Sequence, residues 1–231
     1  MQPIGPKIAE GRDSEIYDHG PGKVLRVPRD GRSLEHEARV MAHVREQGFP
    51  CPAVDDAGEG YLVMERVDGP TMLDVATKPP FPIPRFGRML ADLHNRLHEL
   101  PAPDWFPPAP LPGDRIVHGD LHPLNVLITG DGPVVIDWTN ARAGDPAYDV
   151  ADTWVLFAAA QPTDLKAWER LLIRLGRKLF LNTFLKSVDR DAARRAIPAA
   201  VEARARDRNM SPAEIERMRD LAKWASSLSA P

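Results

Sequence analysis

Cysteine is nearly absent from this sequence, which has only Cys51 among its 231 residues. A single cysteine excludes an internal disulfide and a zinc site built from several cysteines. Long apolar runs are missing too: no stretch reaches the ~18 apolar residues of a membrane-spanning helix, and the N-terminal residues lack the core of a signal peptide. We therefore expect a protein of the reducing cytoplasm without a membrane partner, and we assign Cys51 to packing.

The chain also lacks a large excess of either charge, since 30 lysines and arginines stand against 33 aspartates and glutamates. That balance does not favour nucleic acid as a partner, and we expect none. The charges are unevenly placed, because residues 151–231 hold 15 basic and 10 acidic side chains whereas residues 1–150 hold 15 and 23. Hydrophobic residues make up 43% of the chain, which is typical of a soluble globular protein with one domain or two small lobes.

Three polar residues stand at fixed offsets within an apolar stretch. Asp120 is followed five residues later by Asn125 and twelve residues after that by Asp137. Residues 126–129 and 134–136 are rich in β-branched side chains and predict two strands, joined by a Gly-Asp-Gly turn. Such a hairpin brings Asn125, at its start, close to Asp137, at its end. Their hard oxygen ligands suit Mg²⁺, which needs few protein ligands when substrate phosphates supply the rest.

The pattern resembles a kinase catalytic loop, in the order His118-Gly119-Asp120, Asn125 and the Ile-Asp-Trp sequence at 136–138. Protein kinases have arginine in place of the glycine and Phe-Gly after the metal-binding aspartate. The sequence is therefore more similar to the aminoglycoside phosphotransferase and choline kinase group of small-molecule kinases. This resemblance implies that Asp120 is the catalytic base and that Asn125 and Asp137 are Mg²⁺ ligands.

A second segment is similar to the same group, in the order Gly-Asp-Pro at 144–146 and then Asp149 at the start of a predicted helix. The resemblance implies that Asp149 braces the backbone of the catalytic loop, together with His118, and does no chemistry itself. Asp145 either caps the helix or touches substrate, and capping is the interpretation we favour.

Residues 8–28 predict a small antiparallel sheet, whose first turn contains Gly11, with Ser14 as a possible further donor. The resemblance implies that this turn covers the nucleotide phosphates, although one glycine is a weak signal and a plain hairpin turn is the alternative. Val24 and Arg26 share one face of a strand. We expect Val24 to lie over the adenine and Arg26 to reach phosphate, where the group usually has lysine. An exposed edge arginine is the alternative.

The helix predicted at residues 34–46 resembles the one that pairs its glutamate with the phosphate-binding cation. We assign Glu37 to Arg26, and Glu35 is the alternative.

The strand at 61–69 resembles the kinase hinge. Backbone groups near Glu65 and Val67 are expected to bond the adenine edge, and Met64 is expected to line the back of the pocket. The resemblance also assigns Leu127 and Ile136 to the nucleotide site.

Together these features predict an α+β, two-lobed protein-kinase-like fold. The small N-lobe, residues 1–66, is predicted to be β-rich, with one helix, and to bind the nucleotide. The C-lobe, residues 67–231, is predicted to be mainly helical and to hold the catalytic loop and the acceptor-binding helices. Helices are predicted at 86–100, 164–186, 191–207 and 212–228.

The predicted function is transfer of the ATP γ-phosphoryl group to a hydroxyl of a small molecule, with ATP and Mg²⁺ as cofactors. Aminoglycosides are polycations, and the net positive charge of residues 151–231 favours a neutral or anionic acceptor instead.

Two alternatives stay open. The sparse glycine turn and the replaced lysine suit a nucleotide-binding pseudokinase with a regulatory role, whereas the intact Asp120, Asn125 and Asp137 oppose it. An atypical protein kinase is the other alternative, since some of these also use a His-Gly-Asp loop. The short segment between Asp137 and Asp145 shows no phosphorylatable activation segment and disfavours it. The sequence leaves the oligomeric state open.

Overall fold

The structure, a computed structural model, describes residues 5–11, 13–78, 82–159, 167–207 and 210–227. The chain divides into two compact units. The first comprises Met1–Met72 and Leu124–Ala141, and the second comprises Leu73–Pro123 and Arg142–Pro231. The hairpin that carries Asn125 and Asp137 therefore groups with the N-terminal residues, whereas the sequence alone placed it in the lobe of residues 67–231.

Strands and helices are interspersed up to Gly144, and the described residues after it form helices without strands. The strands are β1 (Lys7–Glu10), β2 (Ser14–Asp18), β3 (Lys23–Pro28), β4 (Val54–Gly58), β5 (Tyr61–Glu65), β6 (Arg115–Val117), β7 (Val126–Thr129), β8 (Gly132–Val135) and β9 (Arg142–Gly144). The helices are α1 (Glu35–Glu46), α2 (Met72–Ala76), α3 (Ile83–His98), α4 (Pro146–Ala159), α5 (Ala167–Leu185), α6 (Arg190–Arg204) and α7 (Pro212–Ser227). Short 3-10 helices at Pro123–Asn125 and Trp138–Asn140 flank the β7–β8 hairpin.

The first unit is built on an antiparallel sheet in the strand order β1-β2-β3-β5-β4. Gly20 and Gly22 turn the chain from β2 to β3 with φ angles of 93° and 71°, which glycine adopts without a steric penalty. Because β3 lies between β2 and β5, Arg26 is on an inner strand, and its residue is only 7% exposed. The alternative of an exposed edge arginine is therefore wrong.

Helix α1 follows β3 and buries an apolar stripe with helical spacing. The buried apolar side chains at this helix are Leu34, Ala38, Val40, Met41 and Val44. Burying a leucine, valine or methionine side chain stabilises the fold by roughly 1.5–3 kcal/mol relative to leaving it exposed. Glu37 lies among them with 3% of its surface exposed, and a carboxylate this deeply buried needs a partner.

The β7–β8 hairpin is tied to the first unit by backbone hydrogen bonds. The N–H of Ile128 donates to the carbonyl of Pro70, and the N–H of Val135 donates to the carbonyl of Pro50, both at 2.9 Å. Trp138, which follows the hairpin, is fully buried and packs edge-on against Phe49, with ring centroids 5.6 Å apart. Strand β8 begins two residues earlier and ends one residue earlier than predicted.

The second unit is mainly helical, and its described residues include one short strand pair, β6–β9, which precedes the loop that carries Asp120. Helix α3 begins at Ile83, three residues before the predicted start, because its proline lies in the first turn, where the missing N–H has no helical partner to lose. Helix α4 is buried along most of its length, including Ala151 and Val155, which are fully inaccessible.

The last three helices match the predicted ones to within a few residues. Helix α5 covers all but the ends of 164–186, of which residues 164–166 lie outside the described part of the chain. Helix α6 stops at Arg204, three residues short of the prediction. At the start of α7, Ser211 Oγ accepts from the Glu214 N–H while the Glu214 carboxylate accepts from the Ser211 N–H, as the capping box predicts.

Within the described ranges, no helix combines the length and the apolar character needed to cross a bilayer.

Candidate active site

The loop after β6 is fixed by a buried carboxylate. Asp149, in the first turn of α4, accepts hydrogen bonds from the backbone N–H groups of His118 (2.9 Å) and Gly119 (2.8 Å). His98 Nε2 lies 3.1 Å from the same carboxylate. Burial by itself raises the pKa of Asp149, but the bond to His98 and the charges of the nearby histidines outweigh it and bring the pKa below its usual range. An ionised Asp149 therefore holds the loop backbone in one conformation.

Gly119 has a structural reason to be glycine. Its φ angle is 72°, in the left-handed region that a β-carbon disfavours. Its N–H donates to Asp149, and its carbonyl accepts from Arg204 Nη2 at 3.3 Å. The glycine therefore lets the chain turn sharply between His118 and Asp120 while both of its backbone groups stay bonded.

Arg204, the last residue of α6, binds the side chain of Asp120. Its Nη2 donates to Asp120 Oδ1 at 2.5 Å, and its Nε and Nη2 donate to the two oxygens of Asp152 at 2.6 and 2.5 Å. Asp152 lies on α4 and is fully buried, whereas the Asp120 side chain is 18% exposed. His122 Nε2 also approaches Asp120 Oδ1, to 3.4 Å. The predicted catalytic carboxylate is thus held by two neighbouring side chains.

These neighbours decide the charge of Asp120. Burial raises its pKa, but the hydrogen bond from His122 and the charge of Arg204 outweigh burial and hold the pKa well below the usual range. Burial lowers the pKa of Arg204, yet the Asp152 and Asp120 carboxylates raise it above its ordinary value. Burial raises the pKa of Asp152 to about 6, against the lowering effect of Arg204. At neutral pH Asp120 is therefore ionised, as a catalytic base must be before reaction.

In the first unit, Arg26 of β3 and Glu37 of α1 form an ion pair whose side chains are 9% and 3% exposed. Arg26 Nη2 also donates to Asp137 Oδ1, and its Nε donates to Ser14 Oγ, each at 3.1 Å. Burial lowers the pKa of Arg26, but the charges of Glu37 and Asp137 outweigh it and raise the pKa. Glu35 is exposed, so the structure pairs Arg26 with the glutamate assigned to it.

Asp137 has an unusual backbone. With φ 65° and ψ 67° it is the one non-glycine residue in the described ranges with positive φ, a conformation that aspartate tolerates better than most residues. Thr139 lies beside it: its hydroxyl is 3.1 Å from Asp137 Oδ1 and 2.8 Å from Glu37 Oε2. One hydroxyl hydrogen serves one of these acceptors at a time. Strained residues of this kind concentrate at functional sites.

Asn125 and Asp137 stand at the two ends of the hairpin. The Ile136 N–H donates to the Asn125 carbonyl at 3.0 Å, which brings the residue before Asp137 against Asn125. The Asp137 side chain is 42% exposed and offers a carboxylate oxygen, and Asn125 offers an amide oxygen. Among the described residues, no three His, Cys, Asp or Glu side chains form a metal cluster. This donor set fits Mg²⁺ completed by phosphate oxygens and water rather than by an all-protein cage.

The predicted hinge is part of the sheet. Val24 of β3 pairs with Met64 of β5, and Val24 is 6% exposed. The N–H of Glu65 donates to Ala53 at 2.8 Å and is therefore used within the sheet. The prediction that backbone groups of this segment bond adenine therefore concerns the Glu65 carbonyl and the backbone of Val67.

The predicted phosphate-covering turn lies between β1 and β2. The Gly11 N–H donates to the Ser14 carbonyl at 2.8 Å, so this N–H serves the turn itself. Ser14 is 5% exposed, and its hydroxyl lies against Arg26. Leu127 and Ile136 are half-buried in and beside the hairpin.

Several residues that contact the predicted site were not assigned a role from the sequence, among them Arg204, Asp152, Thr139 and His122. The sequence holds a signal for one of them. Asp152 interrupts the apolar run of α4, and a carboxylate inside a buried helix face requires a cation. The identity of that cation and the position of Thr139 are visible only in the folded chain. Asp145, by contrast, caps α4 as favoured above, since its carboxylate accepts from the Ala147 N–H at 2.8 Å.

Comparison with known proteins gives named relatives. The chain is 28% identical over 206 residues to a probable bifunctional tRNA threonylcarbamoyladenosine biosynthesis protein of Methanosarcina acetivorans, with 81% of this chain and 34% of that protein covered. It is 28% identical over 142 residues to a probable serine/threonine-protein kinase BUD32 homolog of Archaeoglobus fulgidus, with 61% of this chain and 62% of that protein covered. The chain therefore spans about a third of the first relative's length and 62% of the second's.

Solved structures of other proteins are similar to this chain in fold. A choline/ethanolamine kinase family protein from Mesorhizobium loti matches with a TM-score of 0.59 and 15% identity, covering 98% of this chain and 89% of that one. A thermostable mutant of aminoglycoside phosphotransferase APH(4)-Ia, in a ternary complex with AMP-PNP and hygromycin B, matches with a TM-score of 0.55 and 17% identity, covering 97% and 94%.

These likenesses show a protein-kinase-like α+β fold, with a β-sheet unit and a mainly helical unit, as predicted. The sequence model of the phosphotransferase enzyme family matches residues 6–115 and 104–179 of this chain. The match covers well over half of the chain, and the chain therefore belongs to the phosphotransferase enzyme family.

Proposed function

We propose that this protein transfers the γ-phosphoryl group of ATP to a hydroxyl group of a small molecule. The observation that carries the proposal is the state of Asp120: an ionised, partly exposed carboxylate on a loop whose backbone is fixed by Asp149 and whose side chain is held by Arg204. A carboxylate in this state can orient an acceptor hydroxyl and take its proton.

The reaction assigned to Asp120 is proton removal coupled to phosphoryl transfer. The acceptor oxygen bonds to the γ-phosphorus, the bond to the ADP oxygen breaks, and the acceptor proton moves to the Asp120 carboxylate and then to solvent. Because Arg204 and His122 keep the pKa of Asp120 low, the proton moves only when the new bond has made the hydroxyl acidic. Such a late transfer suits the loose transition state of phosphoryl transfer.

The nucleotide is assigned to residues of the first unit. The Arg26 guanidinium, a planar fork, is proposed to bind the α and β phosphates in place of the usual lysine. Asn125 and Asp137 are proposed to hold Mg²⁺, which when bound offsets the negative charge that the phosphates carry. Complexes of related folds with ATP analogues, such as the AMP-PNP complex of APH(4)-Ia, support ATP as the donor.

The acceptor is proposed to be neutral or anionic. Residues 151–231 carry more basic than acidic side chains, and this net positive charge disfavours a polycationic aminoglycoside. Arg204 does not add to this argument, because its charge is offset by Asp120 and Asp152. Sugars and hydroxylated carboxylates or phosphates are the classes that the net positive charge favours.

The proposal is tested by measuring ADP release with Mg²⁺ and a panel of acceptors: neutral sugars, hydroxyacids, sugar phosphates, choline-like alcohols and aminoglycosides. We expect acceptor-dependent ADP release with a neutral or anionic member and little with aminoglycosides. Preferential turnover of an aminoglycoside would overturn the acceptor assignment. ATP binding without turnover on any member would favour the regulatory pseudokinase instead.

An atypical protein kinase is the second candidate, and likeness to the protein named a probable serine/threonine-protein kinase BUD32 homolog favours it. Against it, the seven residues between Asp137 and Asp145 are taken up largely by a 3-10 helix and β9, which leaves no long activation segment. Incubation with γ-labelled ATP separates the two proposals. Label on the chain or on an added protein, and none on small acceptors, would establish the protein kinase.

A further inference from the structure

The catalytic loop receives an arginine from a distant helix. Arg204 ends α6 and lies 84 residues along the chain from Asp120. Its side chain is only 11% exposed, whereas that of Arg206, two residues later, is 74% exposed and pairs with Glu202 on the surface. The burial of Arg204 therefore reflects a specific contact and not the general basic character of this region.

The contact uses the fork geometry of a guanidinium. Nε and one Nη2 hydrogen bind the two oxygens of Asp152, which fixes the plane of the guanidinium. The second Nη2 hydrogen is shared by Asp120 Oδ1, at 2.5 Å from the nitrogen, and the more distant Gly119 carbonyl, at 3.3 Å. A lysine has a single nitrogen and cannot make this set of directed bonds at once. The arrangement depends on arginine and on its anchoring by Asp152.

Helix α4 holds the loop that carries Asp120 through two of its residues. Asp149 and Asp152 lie three residues apart and so on the same face of α4. Asp149 binds the loop backbone at His118 and Gly119, and Asp152 binds Arg204, which binds the Asp120 side chain. One helix therefore fixes both the backbone of the loop and the side chain of Asp120.

If Arg204 served only to stabilise the buried Asp152, it would need no bonds to the loop that carries Asp120. Asp152 is fully buried and needs a cation for stability wherever the cation comes from. A pair of Arg204 with Asp152 alone would meet that need. The additional bonds of Nη2 to Asp120 and to the Gly119 carbonyl have no such explanation, because Asp120 is partly exposed and can be solvated.

We propose that Arg204 is a positioning residue of the phosphoryl transfer, which fixes the orientation of the Asp120 carboxylate without touching the substrate. This inference rests on the proposed function of Asp120. Because a misplacement of about 1 Å can reduce an enzymatic rate on the order of 100-fold, loss of the fork lowers kcat more than it changes the affinity for ATP.

The test compares variants that separate positioning from folding. Arg204→Lys keeps a cation for Asp152 but loses the fork. Arg204→Met/Asp152→Asn removes both buried charges together, so that no unpaired ion is left, and Asp152→Asn alone is its reference. Arg206→Met is the matched control, an exposed arginine in the same region. For each protein kcat, the KM of ATP, the KM of the acceptor and the unfolding midpoint are measured.

We expect Arg204→Lys to lose roughly 10-fold in kcat, and Arg204→Met/Asp152→Asn roughly 10–100-fold relative to Asp152→Asn, while the KM of ATP changes less than about twofold. Arg206→Met should match the wild type. Wild-type kcat in Arg204→Lys, or equal kcat in the double variant and its reference, would overturn the inference and leave the proposed function intact. A wild-type protein without acceptor-dependent turnover would overturn both. If the double variant does not fold, Arg204→Lys decides alone.

Discussion

The Arg26→Met substitution leaves a buried carboxylate without its cation. Glu37 is 3% exposed and Arg26 is 9% exposed at the side chain, so water cannot replace the lost partner. Breaking a buried ion pair by removing one member costs about 3–5 kcal/mol. We expect the free energy of unfolding, measured by urea denaturation, to fall by about that amount, together with ATP affinity.

The double variant Arg26→Met/Glu37→Gln isolates the cause. It removes the unpaired charge and keeps a side-chain oxygen for the Thr139 hydroxyl, which lies 2.8 Å from Glu37 Oε2. Its stability should recover to within about 1–2 kcal/mol of the wild type, because a neutral amide is far easier to bury than an ion. If the single and double variants are equally unstable, the argument from an unpaired charge is refuted.

The pH dependence gives an independent check of the same reasoning. Burial raises the pKa of Glu37, and loss of Arg26 removes the charge that opposes this rise. A carboxyl whose pKa is higher in the folded than in the unfolded protein adds to the free energy of unfolding at pH values below its unfolded pKa of about 4.3. This added stability is lost as the pH rises through its folded pKa. The deficit of Arg26→Met should therefore be smallest near the unfolded pKa and grow towards neutral pH.

Three further substitutions test single features. Gly119→Ala places a β-carbon at φ 72°; denaturation should show a loss of about 1–2 kcal/mol, and kcat should fall because the loop shifts. Thr139→Val removes the hydroxyl beside Glu37 and Asp137; calorimetry should show weaker ATP binding and unfolding a loss of about 1–3 kcal/mol. Asp137→Asn tolerates the same backbone but lacks the charge, so the Mg²⁺ concentration for half-maximal ATP turnover should rise at least about tenfold. An unchanged kcat, ATP affinity or Mg²⁺ requirement, respectively, would contradict each expectation.

Local patterns predicted the part of the site that depends on neighbouring residues in the chain. The hairpin strands and their turn follow from β-branched residues and glycine, and they bring Asn125 to the residue before Asp137. The inner position of Arg26 could not be read from its own strand, since it depends on β5 pairing with β3 over a helix and β4. The Arg26–Glu37 pair was predicted because the family resemblance supplied the partner.

Long-range contacts were beyond the sequence. Arg204 follows Ala200 and Val201 by four and three residues, so helical spacing places it on the buried face of α6, nearer the centre of that face than Arg195. Only the folded chain shows that its partners are Asp152 and Asp120. The left-handed backbone of Asp137 has no signal in the sequence, because aspartate adopts ordinary conformations at most positions. The sequence also holds a signal that was not used: Asp152 lies within the apolar run of α4, and a carboxylate on a buried helix face requires a cation somewhere in the fold.

The most direct test of the account is phosphoryl transfer by wild type and Asp120→Asn, measured as label moved from γ-labelled ATP to the acceptor that the panel identifies. Asparagine keeps the size of the side chain but cannot take a proton from the hydroxyl. We expect transfer by the wild type and a loss on the order of 10²–10⁴-fold in kcat for the variant, with ATP binding retained. Transfer by Asp120→Asn at a rate within a few-fold of the wild type would contradict the role given to Asp120.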